Sequence, residues 1–339
     1  MWLNNLWFVL IAVLWIGYFV LEGFDFGVGA LLRIVGKDEK GRRVLINTIG
    51  PVWDANEVWL ITAAGATFAA FPEWYASLFS GFYFAMLVIL ICLIVRGVAF
   101  EYRGKGHTNT WRARWDWSIL ISSWLLALLW GIAFGNIVRG VPLDADNEYV
   151  GDFLGLLNPF ALIMGLCTLG LFLTHGAIYL ALKTTKQVRE RARSFALVAG
   201  AGTIVVMAVA VGWQQIVRGN VWSMALGVIA VLMLIVSYGL TRIGRDGWAF
   251  SASGISTAAL TAGWFASIYP DVLPSTLDPA FSLNIENAAS TSYTLALMSW
   301  VALLFVPLIL AYQAWTYWVF RKRVSVNHIP ESPTSVEIH

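Results

Sequence analysis

Runs of twenty or more apolar residues recur from one end of this 339-residue chain to the other. About 20 such residues are what an α-helix needs to cross the hydrocarbon core of a bilayer. Inside that core every backbone N–H and C=O must be satisfied within a helix or a closed barrel. A barrel would read as alternating segments of about 10 residues, and these runs do not alternate. Composition points the same way: hydrophobic residues make up 59% of the chain, charged residues 12%, and mean hydropathy is +0.71. Soluble domains carry about 25% charge, so this chain lacks the polar residues to coat a water-facing globule. An all-α, polytopic membrane protein is expected, packed as a compact bundle among membrane lipids, with no nucleic-acid partner.

Hydropathy places nine spans, at 6–32, 50–72, 76–101, 115–138, 155–182, 194–216, 221–241, 247–269 and 294–320. The first has no basic segment before it and no small-residue cleavage site, and is expected to be a retained helix rather than a signal peptide. The spans form one helical domain, 1–323, followed by a polar cytoplasmic tail, 324–339. The connections 33–45, 101–114, 183–193, 242–246 and 321–323 hold 19 of the 22 Lys and Arg, and they are every second connection. By the positive-inside rule the N-terminus faces out and the C-terminus the cytoplasm. The loops 140–153 and 270–290, on the other side, are acidic or polar. Most of the 18 tryptophans read as an interfacial belt. Trp53 and Trp59, which flank charged residues within a span, do not.

An ionisable side chain in a spanning segment costs about 2.5–3.5 kcal/mol or more, so those that persist usually face a bundle interior or water. The first span carries Glu22 and Asp25 and the second Asp54 and Glu57. Each pair is spaced i, i+3, which puts its two carboxylates on one helix face. Arg96 and Glu101 end the third span and Asp116 opens the fourth. On the expected topology all of these lie in the cytoplasmic half of the membrane. Such a cluster suits proton uptake from the cytoplasm; structural ion pairing around Arg96 and binding of an ion or substrate are the other readings.

Gly23, Gly27 and Gly29 are expected to form a small-residue face on the first helix for close packing. Cys92 and Cys167 read as core residues. Of the four histidines only His175 falls within a span, while His107, His328 and His339 lie in loops or the tail. One embedded histidine cannot supply a bis-His heme, and no zinc or copper ligand set stands beside it. No P-loop, serine triad or zinc motif occurs. The chain alone makes a poor enzyme, with no catalytic residue and no metal site of its own.

The segments GFDFGVGALLR, INTIGPVWDANEVWLITAAGATFAAFPEWYA, SGFYFAM, RWDWS, GIAFGN, LLNPF, YPDVLPST and WVALLFVPLILAY run over nearly the whole chain. In them the sequence resembles subunit II of the cytochrome bd-type quinol oxidases. The resemblance implies a heterodimer in the bacterial plasma membrane that oxidises quinol and reduces dioxygen to water. Its subunit I would hold two b-type hemes and heme d; this chain would hold none, though some members keep a quinone in subunit II as a structural lipid. A small single-helix subunit is a further partner that the resemblance allows. Acids matching Asp25, Asp54 and Asp116, and the arginine matching Arg96, are tied in the family to proton supply or heme integrity. Trp53 matches a position near that path, and Glu22 is a conservative acid there. The sites expected are thus a proton path of Asp54, Asp25, Glu22, Glu57 and Trp53, and a heme-integrity or subunit-interface group of Arg96, Asp116 and Glu101. The rival from another class is a secondary transporter whose acids bind a coupling ion; its sites usually lie at the midplane between broken helices.

Overall fold

The structure, a computed structural model, describes residues 2–106 and 108–328. His107, His339 and most of the expected tail lie outside the described residues. The chain runs α1 (Trp2–Ala30), α2 (Leu32–Val35), α3 (Glu39–Ile49), α4 (Trp53–Ala70), α5 (Pro72–Gly81), α6 (Tyr83–Tyr102), α7 (Asn109–Arg139), α8 (Pro159–Lys183), α9 (Lys186–Arg218), α10 (Val221–Arg242) and α11 (Asp246–Ile268). A two-stranded hairpin of β1 (Asp271–Leu273) and β2 (Leu283–Asn284) follows, then α12 (Ser292–Val319).

Seven of the described helices, α1, α6 to α10 and α12, are long and apolar enough to cross a membrane. Two more correspond to expected spans but are more polar. Asp54, Asn56 and Glu57 lower the hydropathy of α4. A line of buried hydroxyls, Ser253, Ser256, Thr257 and Thr261, lowers that of α11. These hydroxyls are satisfied inside the bundle, Ser256 on Ala230 O at 2.7 Å and Thr257 on Ser253 O at 3.0 Å. Burying them therefore carries no unpaired-donor penalty.

Two expectations are corrected. The basic stretch 33–45, read as a loop, contains most of α3, capped by Asp38 Oδ1 accepting from Gly41 N at 2.6 Å. Its eleven residues are too short and too polar to register as a span. The expected span 76–101 is divided between α5 and α6 at Phe82, and α5 begins at Pro72, where proline's missing N–H costs nothing.

Helix α1 is the hub, packed on α8, α4, α7 and α11, while α7 to α11 stack mainly as sequential neighbours. Gly27 and Gly176 set the α1–α8 approach: a Cβ on Gly27 would lie 2.0 Å from Phe172 O and 2.8 Å from Gly176 Cα. Gly23 lies beneath the Phe172 ring of the same helix, but Gly29 faces Ser123 of α7. The expected glycine face is thus split between two neighbours, as a two-residue step of about 200° requires. Helix α12 packs mainly on α1 and α4 and buries little of itself.

The two ends of the bundle differ. At one end the loops between α7 and α8 and between α11 and α12 pair, Val141 with Ser275, and Ser290 N donates to Ala70 O. At the other, basic end, Arg189 meets Asp246 at 2.7 Å and Thr184 pairs with Val324.

Candidate functional site: a buried charge cluster

Arg96 on α6 is fully buried. Its Nη1 donates to Glu22 Oε2 of α1 at 3.2 Å and to Glu57 Oε1 of α4 at 2.9 Å. The guanidinium also lies 4.9 Å from the Phe26 ring and 5.1 Å from the Phe100 ring. A cation held between two aromatic faces and two carboxylates is compensated in several ways at once. Asp25, one helical turn beyond Glu22, is equally buried and accepts from Asn56 Nδ2 at 2.6 Å. Asn56 Oδ1 in turn receives Tyr317 OH at 2.8 Å and Gln313 Nε2 at 3.3 Å, both from α12.

One guanidinium stands among three carboxyl groups, Glu22, Asp25 and Glu57, and cannot neutralise all of them together. Several of the cluster's buried polar atoms have no protein partner: Tyr18 OH, Glu22 Oε1, Asp25 Oδ1, and Arg96 Nε and Nη2. Buried polar groups are satisfied by water where protein does not reach them. A carboxyl group bonded to water in a closed interior can take up and pass on protons.

The expected site residues divide into three places. Glu22, Asp25, Glu57 and Arg96 form the cluster. Trp53 makes no polar contact with it but packs on Phe100 at 5.3 Å, the ring that faces Arg96. Asp54 and Glu101 are exposed, with no hydrogen bond or ion pair among the described residues. Glu57, 23% exposed, joins the buried cluster to the surface that bears Asp54.

Asp116 belongs to a second assembly. It is buried and accepts from Arg103 Nε at 2.5 Å, with Arg42 Nε 2.9 Å away. Glu39 takes both terminal nitrogens of Arg103, at 3.1 and 2.8 Å, and reaches Arg42 at 3.4 Å. Two arginines and two acids thus close a neutral ring. Arg103 is seven residues past Arg96, about 10 Å along a helix, so the ring lies nearer the basic end. Asp116→Ala is expected to cost about 3 kcal/mol by leaving two cations against one acid. The thermal midpoint of the detergent-solubilised protein reads this, and an unchanged midpoint would show that the ring carries no stability.

Sequence reading missed Asn56, Gln313, Tyr317, Tyr18, Arg103, Glu39 and Arg42. Asn56 and Gln313 had a signal, as amides within apolar runs; Tyr317 had none. His175 does not fit heme ligation. Its Nδ1 meets Ser253 Oγ at 2.7 Å, its Nε2 meets Val20 O at 3.2 Å, and the ring stacks on Phe250 at 4.6 Å. Among the described residues no three His, Cys, Asp or Glu form a group that could hold a metal ion.

Fold and site together define a polytopic helical membrane protein with a charge cluster inside its bundle that reaches one lateral surface. A model of the family described as cytochrome bd terminal oxidase subunit II matches residues 3–320. Cytochrome bd ubiquinol oxidase subunit 2 of Bacillus subtilis (strain 168) is 41% identical over 329 residues, covering 95% of this chain and 97% of that one. Cytochrome bd-I ubiquinol oxidase subunit 2 of Escherichia coli (strain K12) is 38% identical over 377 aligned positions, covering 98% of each. A solved bd oxidase from Geobacillus thermodenitrificans matches with a TM-score of 0.73 over 94% of this chain and 99% of that one; at 18% identity this speaks for the fold alone. The chain belongs to the cytochrome bd terminal oxidase subunit II family. It is a multi-pass bacterial membrane protein and part of an oxidoreductase complex, and the transporter reading is not favoured.

Proposed function

We propose that the chain is the heme-free subunit II of a quinol:oxygen oxidoreductase. In this reading it supports a heme-bearing subunit I and lines a proton path from the cytoplasm through Asp54, Glu57, Glu22 and Asp25. The observation that carries the reading is the exposure of Asp54, with Glu57 partly exposed beside it on α4. A carboxylate facing lipid is costly, so the α4 surface, with α6 and α12 beside it, is where a protein partner belongs. Trp53 and Phe100 steady Arg96 behind it. Glu101, exposed on the same helix as Arg96, suits that contact too, and the Asp116 ring holds the basic end of the interface together.

The proposal takes nine spans, α1, α4 and α6 to α12, with the N-terminus outside and the basic end in the cytoplasm. Hemes of the b and d types belong to subunit I, where oxygen is reduced. An apolar groove of about 750 Å³ lined by α4, α5 and α6, with Trp130 of α7 at its floor, has room for a quinone held as a structural lipid.

A reduced-minus-oxidised visible spectrum of the gently purified protein is the first test. A heme d band together with a second large subunit supports the proposal, and a heme-free protein without a partner overturns it. Within the complex, Asp54→Asn is expected to slow oxygen turnover about tenfold or more while leaving heme content near normal. Unchanged turnover would remove Asp54 from the path.

A further inference from the structure

The cluster is tied to α12 by a hydrogen-bonded line whose direction is set at its far end. Trp59 Nε1 donates to Gln313 Oε1 at 2.9 Å. Gln313 Nε2 donates to Asn56 Oδ1 at 3.3 Å, and Asn56 Nδ2 to Asp25 Oδ2 at 2.6 Å. An indole N–H can only donate, whereas each amide can turn over and exchange its donor for its acceptor. With the indole N–H against it, Gln313 must present oxygen to Trp59 and nitrogen to Asn56. Asn56 must then present oxygen to Gln313 and nitrogen to Asp25. Tyr317, the other partner of Asn56, cannot set this direction, because a hydroxyl both donates and accepts. The seat of the indole is itself built. A Cβ on Gly17 would lie 2.1 Å from the Trp59 ring, so only glycine lets that ring rest on α1.

We propose that Trp59 and Gln313 are positioning residues that hold Asp25 Oδ2 as a permanent acceptor and leave Oδ1 as its only oxygen for proton exchange. Oδ1 is buried and has no protein partner, as do Glu22 Oε1 and the Arg96 Nε and Nη2 atoms. Two amides in series do not relay protons, so the line from α12 is a fixed support. Protons therefore reach and leave Asp25 through Oδ1. Without the indole N–H nothing at the α12 end fixes Gln313 and Asn56, and an Asn56 oxygen can turn toward Asp25 Oδ2 when that carboxyl carries a proton, which favours the protonated state there.

The inference rests on Asp25 lying in the proton path, so the test measures the pH profile of oxygen turnover in the intact complex for four variants. Asp25→Asn reports on the path itself. Trp59→Phe and Gln313→Met remove the direction-setting groups and keep apolar bulk, and the fourth variant combines them. Each single variant is expected to displace the pH of half-maximal turnover by about half a unit or more. The double variant is expected to show the same displacement as either single one, because both act through one line. A displaced Asp25→Asn profile with undisplaced Trp59→Phe and Gln313→Met profiles overturns the inference and leaves the path standing. Additive displacements in the double variant overturn it also. An unaltered Asp25→Asn profile overturns the path and the inference with it. If Trp59→Phe does not assemble, Gln313→Met alone decides by the same criterion.

Discussion

Arg96→Ala is expected to lower the yield of assembled, heme-bearing complex by more than about tenfold. Among the described residues Arg96 is the one cation in contact with Glu22 and Glu57, and it lies fully inside the bundle with Asp25 near enough to interact with it. Removing one partner of a buried pair costs about 3–5 kcal/mol, because the other is left as an uncompensated charge. That is a large fraction of the stability of an ordinary domain. The charge explanation separates from a packing one by two further variants. Both ion pairs are made by Nη1 alone, so Arg96→Lys, which keeps one charged nitrogen, should restore much of the yield. Arg96→Ala combined with Glu22→Gln and Glu57→Gln should restore it as well, by removing the stranded charges. A triple variant as poor as Arg96→Ala would mean that the lost contacts with Phe26 and Phe100, and not charge, hold the site.

Gly27→Val is expected to abolish accumulation of the folded protein. The atoms that a Cβ would meet are backbone: Phe172 O at 2.0 Å and Gly176 Cα at 2.8 Å, and the contact is reciprocal, with Gly27 Cα 2.6 Å from a Cβ on Gly176. Backbone cannot swing aside as a side-chain tip can, so α1 and α8 must part. Overpacking a well-filled core costs about 1–3 kcal/mol or more. In a bundle without a hydrophobic drive between helices, close backbone contact is itself the main attraction. Parting these helices also pulls His175 from Val20 O and moves Glu22 and Asp25 away from Arg96. Gly202→Ala on α9 is the matched control, since a Cβ there meets nothing within 4 Å. It should be neutral or stabilising by up to about 1 kcal/mol through helix propensity. Equal yields of Gly27→Val and Gly202→Ala, measured in membranes, would refute the close-packing account.

Hydropathy located α8 and α10 to α12 within about four residues, because a spanning helix must show about 20 apolar residues whatever surrounds it. It placed the starts of α7 and α9 late, at 115 and 194 rather than at Asn109 and Lys186, because their first turns are polar and basic. It was blind to α3, whose polar residues lie among basic ones, and to the break at Phe82, where neither side of the junction loses its apolar character. The hairpin of β1 and β2 went unread for a similar reason: strands of three and two residues leave no periodic trace.

For the site, sequence alone determined the class of protein, the side on which the basic residues gather, and the presence of carboxyl groups where lipid tolerates none. It put Glu22 and Asp25 on one face of α1, and both are buried, because i, i+3 spacing is a property of the helix itself. It also placed Asp54 with Glu57, and there the tertiary structure divided them. Glu57 turns toward Arg96, while Asp54 stays on the outer surface and Asn56, between them, points at Asp25 and α12. Which of these faces is inside depends on where α1, α6 and α12 stand around α4. In a membrane span the outer face is as apolar as the inner one, so the pattern of hydrophobic residues carries no record of that choice. Only the packed bundle decided that Asp116 closes a ring with Arg42, Glu39 and Arg103, and that an indole on α4 sets the direction of hydrogen bonds reaching Asp25.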